Sequence, residues 1–359
     1  MYTLSIQSVL PIVVLISVYL KSNPTFGPKM SWLFLVACIY FVNCSHQKKN
    51  ITSILKMSPE LQLPRRLAKL WLFLLELPSI EECSSGESRG KSDNSCNFRL
   101  SLIVPAYAEK GKDIIEKLQA AYNSCEKPGN IEIILVDAGK NVDLDLIRKE
   151  DLEKSWGSFK LVRYHNGDGR GPTLNFGAKD AKGQILTFLH SDVILPLSWD
   201  SKIYTSFNRS EVLMSAFSFG IDKCSNGNDP PGIKAVETTA NLRTHMYKLP
   251  YGDQVLSMPS AIFRYLGGFP YQCLMEDYEL VALVRKRILM RNNEALNIIG
   301  GAPSLCSPRR WQKHGVLKVT YTNSYLVNMY NRGLSPDAIF KKYYGSNVKV
   351  GLSPWEKKI

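Results

Sequence analysis

The first 78 residues carry long apolar stretches of a kind that the rest of the sequence lacks. Residues 1–20 contain no charged side chain and are long enough for a helix across a bilayer core, which needs about 20 residues. Residues 30–47 are also uncharged but marginal in length, and residues 65–77 place leucines along one helical face beside cations. We expect a membrane-anchoring region over 1–78, formed by a helical hairpin and an interfacial helix. Either of the first two stretches could instead be buried core, so one span and two both remain open.

The basic residues around the predicted hairpin indicate its orientation. Six Lys and Arg residues lie between positions 48 and 69, whereas the loop between the first two apolar stretches has two. Because cytoplasmic segments carry the excess of positive charge, we expect everything after the hairpin to face the cytosol. Residues 79–97 are rich in Ser and Gly and have almost nothing to bury, so they predict a linker before a separate domain.

From residue 98 onwards, short apolar runs alternate with an amphipathic helical pattern. Four runs predict strands, at residues 99–104, 131–136, 159–165 and 184–189. Residues 111–125 place apolar side chains at helical spacing, which is typical of a helix packed on a sheet. Alternating strands and helices predict an α/β fold over 98–345, with a Rossmann-like, mostly parallel sheet flanked by helices. Residues 346–359 remain as a basic tail.

Polar side chains follow three of these strands at the point where each strand ends. They are Tyr107 and Glu109 after the first strand, Asp137 and Gly139 after the second, and His190 and Asp192 after the fourth. Ligands of open parallel sheets bind outside the carboxyl ends of the strands. We therefore expect these groups to share one binding site, although ordinary loop polarity is the alternative.

A glycine-rich turn precedes the fourth strand. Residues 169–171 read Gly-Arg-Gly and open a short helix that we expect to end at Gly183. The N–H groups at its start favour an anion beside Arg170, and phosphate fits. A carboxylate at Asp192 beside a diphosphate indicates a bridging Mg²⁺ or Mn²⁺, with His190 as a second candidate ligand of metal or phosphate. No G-x-G-x-x-G follows the first strand and no G-K-[ST] loop occurs, so those two nucleotide motifs are excluded.

The net charge of +13 is concentrated near the carboxyl end of the chain. Residues 285–359 hold 14 Lys and Arg against 3 Asp and Glu. A basic cluster suits phosphate or anionic lipid, or is simply a solvated surface. The sequence has no zinc finger, RNP-like strand or basic heptad helix, which disfavours nucleic acid as a partner. Its eight cysteines form no C-x-x-C pair, which favours a reducing compartment.

Six motifs occur along the domain in a fixed order. They read VPAYAE, VDAG, GRGPTLNFGAKDAKGQILTFLHSD, YGDQ, LGGFPYQCLMED and RRWQKHG. In this order and spacing they resemble the family-two glycosyltransferases of the GT-A fold, most closely the branch with His-x-Asp in place of Asp-x-Asp. The resemblance covers about residues 99–344. It implies a GT-A fold and an inverting transfer of a sugar from a nucleotide-diphosphate sugar.

The resemblance also implies which residues would hold the donor. The base and ribose would lie against Pro105, Tyr107, Glu109 and Asp137, with Gly139 in the same motif as Asp137. Arg170 and Asn175 would flank the donor, and Asp192 and His190 would face the metal on its diphosphate. Asp253 and Gln254, together with Gly252, match a motif that contacts either donor or acceptor.

The catalytic residues follow from the same resemblance. Glu276 and Asp277 match the family's acidic pair, in which the aspartate takes the proton from the acceptor hydroxyl. Inversion by a single displacement needs one base opposite the leaving group, so one carboxylate suffices. Arg309, or Arg310 beside Trp311, is a candidate to neutralise the leaving group. The alternative is that the two acids favour a helix start and that Arg310 and Trp311 only pack.

Four positions depart from the family pattern. Ala108 stands where many members carry Asn, Ala138 where many carry a second Asp, and His190 replaces an Asp. These departures leave the donor open and make a weakened site conceivable. Ser307 stands where processive enzymes carry the Gln of Q-x-x-R-W, which argues against a processive polymer synthase.

The sequence thus predicts a membrane-anchored enzyme that transfers a sugar to a lipid-linked or other membrane-proximal hydroxyl. Two predicted helices near the carboxyl end, with aromatic and basic faces, would assist at the membrane surface. A nucleotidyltransferase of similar fold is one alternative, and a catalytically inactive membrane protein that binds sugar nucleotides is the other.

Overall fold

A computed structural model describes residues 99–107, 110–139, 158–164, 169–222, 229–290 and 293–345. All of them belong to one unit of the chain. The membrane region predicted over 1–78, the linker at 79–97 and the tail at 346–359 lie outside the described residues, and so do Ala108 and Glu109. Among the helices that are described, none combines the length and the apolar character needed to cross a bilayer.

Four parallel strands form the first half of the sheet. They are β1 (Leu100–Ala106), β2 (Ile131–Asp137), β3 (Phe159–Arg163) and β4 (Ile185–Phe188), with β1 between β2 and β4, and β3 beyond β2. All four strands predicted from the sequence are confirmed. Every residue of β2 is buried, which explains why the four apolar residues 133–136 follow one another without polar alternation.

The second half of the sheet is mixed, because two of its strands run against the others, while most of the strand pairings are parallel as expected. Its strands are β5 (Val193–Ile194), β6 (Val212–Ile221), β7 (Leu256–Pro259) and β8 (Ala295–Cys306), and the full order is β3-β2-β1-β4-β7-β6-β8-β5. β7 runs antiparallel to β4 and β6, and β5 runs antiparallel to β8. The alternation of strands with helices in the first half of the domain does not predict the direction of a strand that follows a longer connection.

The direction of β7 decides where the residues before it lie. Phe188, at the end of β4, pairs with Leu256, at the start of β7. The segment that precedes β7 therefore lies at the same edge of the sheet as the carboxyl ends of the parallel strands.

Nine helices are described. They are α1 (Gly111–Asn123), α2 (Arg170–Lys179), α3 (Trp199–Phe207), α4 (Ile233–Tyr247), α5 (Ser260–Leu266), α6 (Glu276–Met290), α7 (Arg309–His314), α8 (Val316–Asn331) and α9 (Pro336–Tyr344). α2 ends at Lys179 and not at Gly183 as expected. The reason is that the N–H of Gly183 bonds to the Ser101 hydroxyl at 2.8 Å and to the Glu132 carboxylate at 3.0 Å, so this glycine shapes the turn into β4.

Helices cover both faces of the parallel half-sheet. One face of β1 and β2 packs with Leu118 of α1 and with Trp199 at the start of α3 in the main apolar cluster. The opposite face supports α2, where Gly177 lies against Ile103 and Val136. Since successive side chains of a strand point to opposite faces, both layers form on the same two strands.

The packing at Gly177 generates a stability prediction. A Cβ there would lie 2.6 Å from a methyl carbon of Val136 and 2.8 Å from one of Ile103. We expect Gly177→Ala to lower the free energy of unfolding by about 1–3 kcal/mol, because the helix or the strands must move to admit the methyl group. Urea denaturation would measure this loss.

Gly129→Ala is the matched control, because no atom of the described ranges lies within 4 Å of the Cβ that it would add. It should leave the unfolding midpoint nearly unchanged. Equal stability of Gly177→Ala and wild type would show that α2 does not pack this closely on the sheet.

Candidate functional site

One edge of the sheet gathers most of the residues that the sequence singled out. It contains the carboxyl ends of β1, β2 and β4, the 3₁₀ turn Gly252–Gln254 before β7, and the beginnings of α2 and α6. The predicted residues described at this edge are Pro105, Tyr107, Asp137, Gly139, Arg170, His190, Asp192, Asp253, Glu276 and Asp277. Glu109 belongs to the same prediction but lies outside the described residues.

The ends of β1 and β2 form one side of this edge. Tyr107 is 59% exposed beyond β1, whereas Asp137 is buried and its Oδ1 accepts a hydrogen bond from the N–H of Gly139 at 3.1 Å. Gly139 has to be glycine, because a Cβ there would overlap the carbonyl oxygen of Tyr107. Pro105 pairs with Val136 inside the sheet. At this part of the edge, the exposed ring of Tyr107 lies beside the closely packed ends of β1 and β2.

An ion pair joins the beginnings of α2 and α6. The Nε of Arg170 donates to Oε1 of Glu276, whose side chain is fully buried, while the Arg170 side chain remains 32% exposed. Burial raises the pKa of Glu276, and the charge of Arg170 opposes that rise. The anion that the structure places beside Arg170 is thus a carboxylate of the protein, at the position where the sequence indicated phosphate.

Asp277 lies next to this ion pair and is held by two backbone donors. Its Oδ2 accepts from the N–H of Gly252 at 2.7 Å, and its Oδ1 accepts from the N–H of Tyr278 at 2.7 Å. Burial pushes the pKa of Asp277 upwards, but Arg170, His190 and these two N–H groups outweigh burial and leave the pKa below its usual value. Asp277 is therefore ionised at neutral pH, as a general base must be.

Gly252 allows three elements to meet. A Cβ at Gly252 would lie 2.6 Å from the ring of His190 and 2.9 Å from Oδ2 of Asp277. His190 from the end of β4, the turn before β7 and the start of α6 thus approach one another at a position that only glycine can occupy. This contact joins the His190 and Asp277 motifs, which lie far apart in the sequence.

His190 and Asp192 differ in charge and exposure. Burial, reinforced by the positive charge of Arg170, lowers the pKa of His190 to about 4, so its ring is neutral at neutral pH. The Asp192 side chain is 37% exposed, and its Oδ2 lies 3.6 Å from Nη2 of Arg309. A neutral imidazole and an accessible carboxylate are both groups that can bind a metal ion.

The residues at this edge fit a divalent cation that is shared with a phosphate ligand. No group of three or more His, Cys, Asp or Glu in the described ranges is arranged to enclose a metal ion. Mg²⁺ is usually bound by one or two carboxylates together with substrate phosphates, and not by an all-protein cage. Asp192 supplies one such carboxylate, and His190, two residues before it, supplies a second possible ligand.

The 3₁₀ turn is built around the side chain of Gln254, which is completely buried. Its Oε1 accepts from Arg243 at 3.2 Å, from Thr244 at 2.9 Å and from the N–H of Tyr251 at 3.2 Å, and its Nε2 donates to Phe217 O at 2.9 Å. Gln254 was predicted to bind substrate. In the structure its amide is occupied by these four protein groups, so it acts on the site by shaping the turn.

Several buried polar atoms of the predicted site residues have no hydrogen-bond partner among the described residues. They are Oδ1 of Asp253, Oε2 of Glu276, Nε of Arg310 and Nε1 of Trp311. Burial raises the pKa of Asp253 to about 6, against the opposing charge of Arg243. Buried polar groups are nearly always hydrogen-bonded, so the unpartnered oxygens of Asp253 and Glu276 at this edge are positions open to a polar ligand.

Backbone strain adjoins the same two segments. Val255, directly after the turn, has φ 56°, and Met275, directly before Glu276, has φ 65°. A positive φ is rare for side chains of this kind, and for a β-branched residue such as Val it is an outlier. Strained residues of this type cluster at functional sites, where the surrounding contacts hold them in place.

Three other predicted residues have clear structural contacts. Asn175 bonds to both the N–H and the carbonyl of Phe269, at 2.9 and 2.8 Å, and so fixes the loop before α6 onto α2. Trp311 packs in a buried cluster against Phe219, with ring centroids 6.3 Å apart. Arg310 lies 3.5 Å above the ring of Tyr343.

Sequence reasoning missed three residues at the site. Arg243 stacks on Tyr251, at 3.6 Å from the ring centroid, and supports the turn. Tyr343 and Tyr344, at the end of α9, contact Arg310 directly or through each other. Both tyrosines lie in one of the two carboxyl-end helices that the sequence predicts to assist at the membrane surface, and their closeness to Arg310 depends on the fold of the last three helices.

The buried ion pair yields a second stability prediction. Glu276→Gln would leave the charge of Arg170 without its partner, and we expect it to cost about 2–3 kcal/mol of unfolding free energy. This is below the usual cost of breaking a fully buried pair, because water reaches part of Arg170 and screens its charge. Chemical denaturation would measure the change.

The control is Glu116→Gln, which removes the exposed pair between Glu116 and Lys112, 3.8 Å apart. Its effect should stay within about 0.5 kcal/mol. If both variants lost the same small amount, the ion pair at Arg170 would not hold α2 and α6 together.

Comparisons with known proteins agree with this architecture. Residues 101–265, which extend from β1 into α5, match the family model described as Glycosyl transferase family 2. Among curated protein sequences, none matches the chain.

Three solved structures illustrate the distant similarity. The S. aureus TarS fragment 1-349 is 18% identical, with 58% of this chain and 60% of that chain covered and a TM-score of 0.43. The mannosyltransferase PcManGT from Pyrobaculum calidifontis, in complex with GDP-Man and Mn²⁺, is 15% identical, with 80% of both chains covered and a TM-score of 0.46. GalNAc-T7 with UDP, GalNAc and Mn²⁺ is 13% identical, with 60% of this chain and 44% of that chain covered and a TM-score of 0.43.

This chain spans less than two thirds of the TarS and GalNAc-T7 chains that it matches. At such low similarity, these structures do not bear on what the chain binds. The α/β architecture with a mixed sheet is GT-A-like, and residues 101–265 carry the sequence pattern of Glycosyl transferase family 2.

Proposed function

We propose that this protein is an inverting glycosyltransferase, which moves a sugar from a nucleotide-diphosphate sugar to a hydroxyl acceptor. The observation that carries the proposal is Asp277, an ionised carboxylate fixed by two backbone N–H groups at the edge that also holds Asp192. The match of residues 101–265 to Glycosyl transferase family 2 supports the same reaction class.

The donor would lie along the carboxyl ends of the parallel strands. Its base and ribose would lie against Tyr107 and Asp137 at the ends of β1 and β2. Its diphosphate would lie after β4, near Asp192, where a bound Mg²⁺ or Mn²⁺ would neutralise part of the phosphate charge. Arg310, with its buried Nε unpartnered, would donate to a phosphate oxygen.

The chain's own residues account for the proton and for the leaving group. The acceptor oxygen forms a bond to the anomeric carbon while the bond from that carbon to the phosphate oxygen breaks. The hydroxyl proton passes to the carboxylate of Asp277, and the electron pair of the broken bond leaves with the nucleoside diphosphate. The Arg170–Glu276 pair would keep Asp277 ionised without occupying the oxygen that receives the proton, since Arg170 pairs with Glu276.

The acceptor in this proposal is lipid-linked or membrane-proximal, and the catalytic domain faces the cytosol. Support comes from the apolar sequence of residues 1–78 and from the basic carboxyl region. Leu317 and Tyr321 of α8 are strongly exposed, as expected for side chains that meet a membrane surface.

Asp277→Asn provides the direct test of the base. We expect it to slow transfer by about 10²–10⁴-fold, because the amide cannot accept the hydroxyl proton. The measurement is release of nucleoside diphosphate from a panel of nucleotide sugars with Mn²⁺. Asp180→Asn, which changes an exposed carboxylate paired with Lys160 at 3.0 Å, is the control and should retain the wild-type rate.

The same assay separates the alternatives. Release of pyrophosphate in place of nucleoside diphosphate would indicate a nucleotidyltransferase. Binding of nucleotide sugars with no turnover, unaltered by Asp277→Asn, would indicate an inactive binding protein.

The metal is tested through Asp192. Asp192→Ala should weaken donor binding in the presence of Mn²⁺ by more than about tenfold, because it removes the accessible carboxylate of the edge. Calorimetric titration with nucleoside diphosphate, with and without a chelator, would measure this. Binding that neither the chelator nor the substitution alters would remove the metal from the proposal, whereas the Asp180→Asn protein should respond to the chelator as wild type does.

A further inference from the structure

The last turn of α9 reaches the candidate site through three consecutive contacts. The carboxylate of Asp192 lies 3.6 Å from Arg309, and the next residue, Arg310, stacks at 3.5 Å on the ring of Tyr343. The ring of Tyr343 in turn contacts that of Tyr344, with centroids 4.8 Å apart. Tyr344 is therefore linked through Tyr343 to the segment that contacts Asp192, although it is far from Asp192 in sequence.

α9 is firmly attached to the domain. Ile339 is completely buried, and the hydroxyl of Ser335 caps the helix by accepting from the N–H of Ala338 at 3.3 Å. The thiol of Cys273, in the loop before Glu276, donates to Oδ1 of Asp337 at 3.4 Å. These contacts hold the aromatic end of the helix at a fixed position relative to the start of α6.

The aromatic ring of Tyr344 is partly exposed, and charged side chains act on its hydroxyl group. Its ring packs against Phe340 at 4.6 Å and against Tyr343, yet 48% of the residue is exposed. Burial of its hydroxyl raises the pKa of Tyr344, and the charges of Arg170, Arg310, Glu276 and Asp192 all act on it.

The chemistry of this surface favours a sugar ring over other ligands. A pyranose has an apolar face of C–H groups that stacks on an aromatic ring, and hydroxyl groups at its rim that bond to charged side chains. In the proposed function the nucleobase lies at the ends of β1 and β2, so it is not the group proposed here. A lipid chain would not be stabilised beside Arg170, Arg310 and Glu276.

We propose that Tyr344 forms an acceptor subsite. The exposed part of its aromatic ring stacks on a pyranose ring of the acceptor, and this stacking directs a hydroxyl group of the acceptor towards Asp277. The acceptor is then itself a glycoside. This inference rests on the proposed function, because only a glycosyl acceptor needs to lie between Tyr344 and the base.

Saturation-transfer NMR on the full chain tests the subsite. The probes are methyl pyranosides of glucose, galactose, mannose and N-acetylglucosamine, with hexanol as an apolar probe, in a detergent without a sugar head group. We expect at least one pyranoside to receive saturation on its C–H protons from wild type and from Tyr344→Phe, which keeps the ring. Tyr344→Ala should weaken that binding by about tenfold, the magnitude of one aromatic contact.

Tyr321→Ala is the matched control, because Tyr321 is a more exposed tyrosine of α8 that lies outside this chain of contacts. It should bind the pyranoside as wild type does. Three results would each overturn the subsite: no pyranoside signal from wild type, an equal signal from Tyr344→Ala, or a Tyr344-dependent signal from hexanol that exceeds that of every pyranoside.

Titration of the same samples with UDP and GDP in the presence of Mn²⁺ keeps the two proposals distinguishable. Absence of any nucleoside diphosphate binding would count against the transferase itself. Nucleotide binding without Tyr344-dependent pyranoside binding would remove only the acceptor subsite.

Discussion

The antiparallel pairing of β7 with β4 is the constraint on which the candidate site depends. It places the turn Gly252–Gln254 at the edge where the parallel strands end, so that residues separated by more than 60 positions in the sequence come together. The absence of a side chain at Gly252 then lets the His190 ring and the Asp277 carboxylate approach the same point. A parallel β7 would have put that turn at the opposite end of the sheet, away from His190.

The Arg170–Glu276 pair gives the two neighbouring acids different properties. Glu276 is buried, and burial raises its pKa, while Arg170, His190 and two N–H groups keep the pKa of Asp277 low. Acids whose pKa values are pushed apart by their surroundings are typical of sites that move protons. The two acids have different roles here. Glu276 pairs with Arg170, and Asp277 remains available to accept a proton.

The local parts of the fold were readable from the sequence, whereas its long-range pairings were not. Apolar runs predicted β1 to β4, of which β1, β2 and β4 are buried along nearly their whole length, and the polar groups at the ends of these three strands predicted the edge. The direction of β7, the end of α2 before Gly183 and the interior role of Gln254 depend on contacts between distant segments, which periodicity does not encode. For the same reason the sequence pattern of α9 did not predict that Tyr343 packs on Arg310. The membrane-anchoring region predicted over 1–78 remains a prediction.

The most direct test of this account is a structure of the full chain with a nucleoside diphosphate and Mn²⁺, in which anomalous scattering locates the manganese. We expect manganese bound to the carboxylate of Asp192 and to the diphosphate, with Arg310 on a phosphate oxygen and Asp277 facing the position that the sugar of the donor would occupy. Nucleotide bound away from the carboxyl ends of β1, β2 and β4, or manganese at another residue, would contradict it.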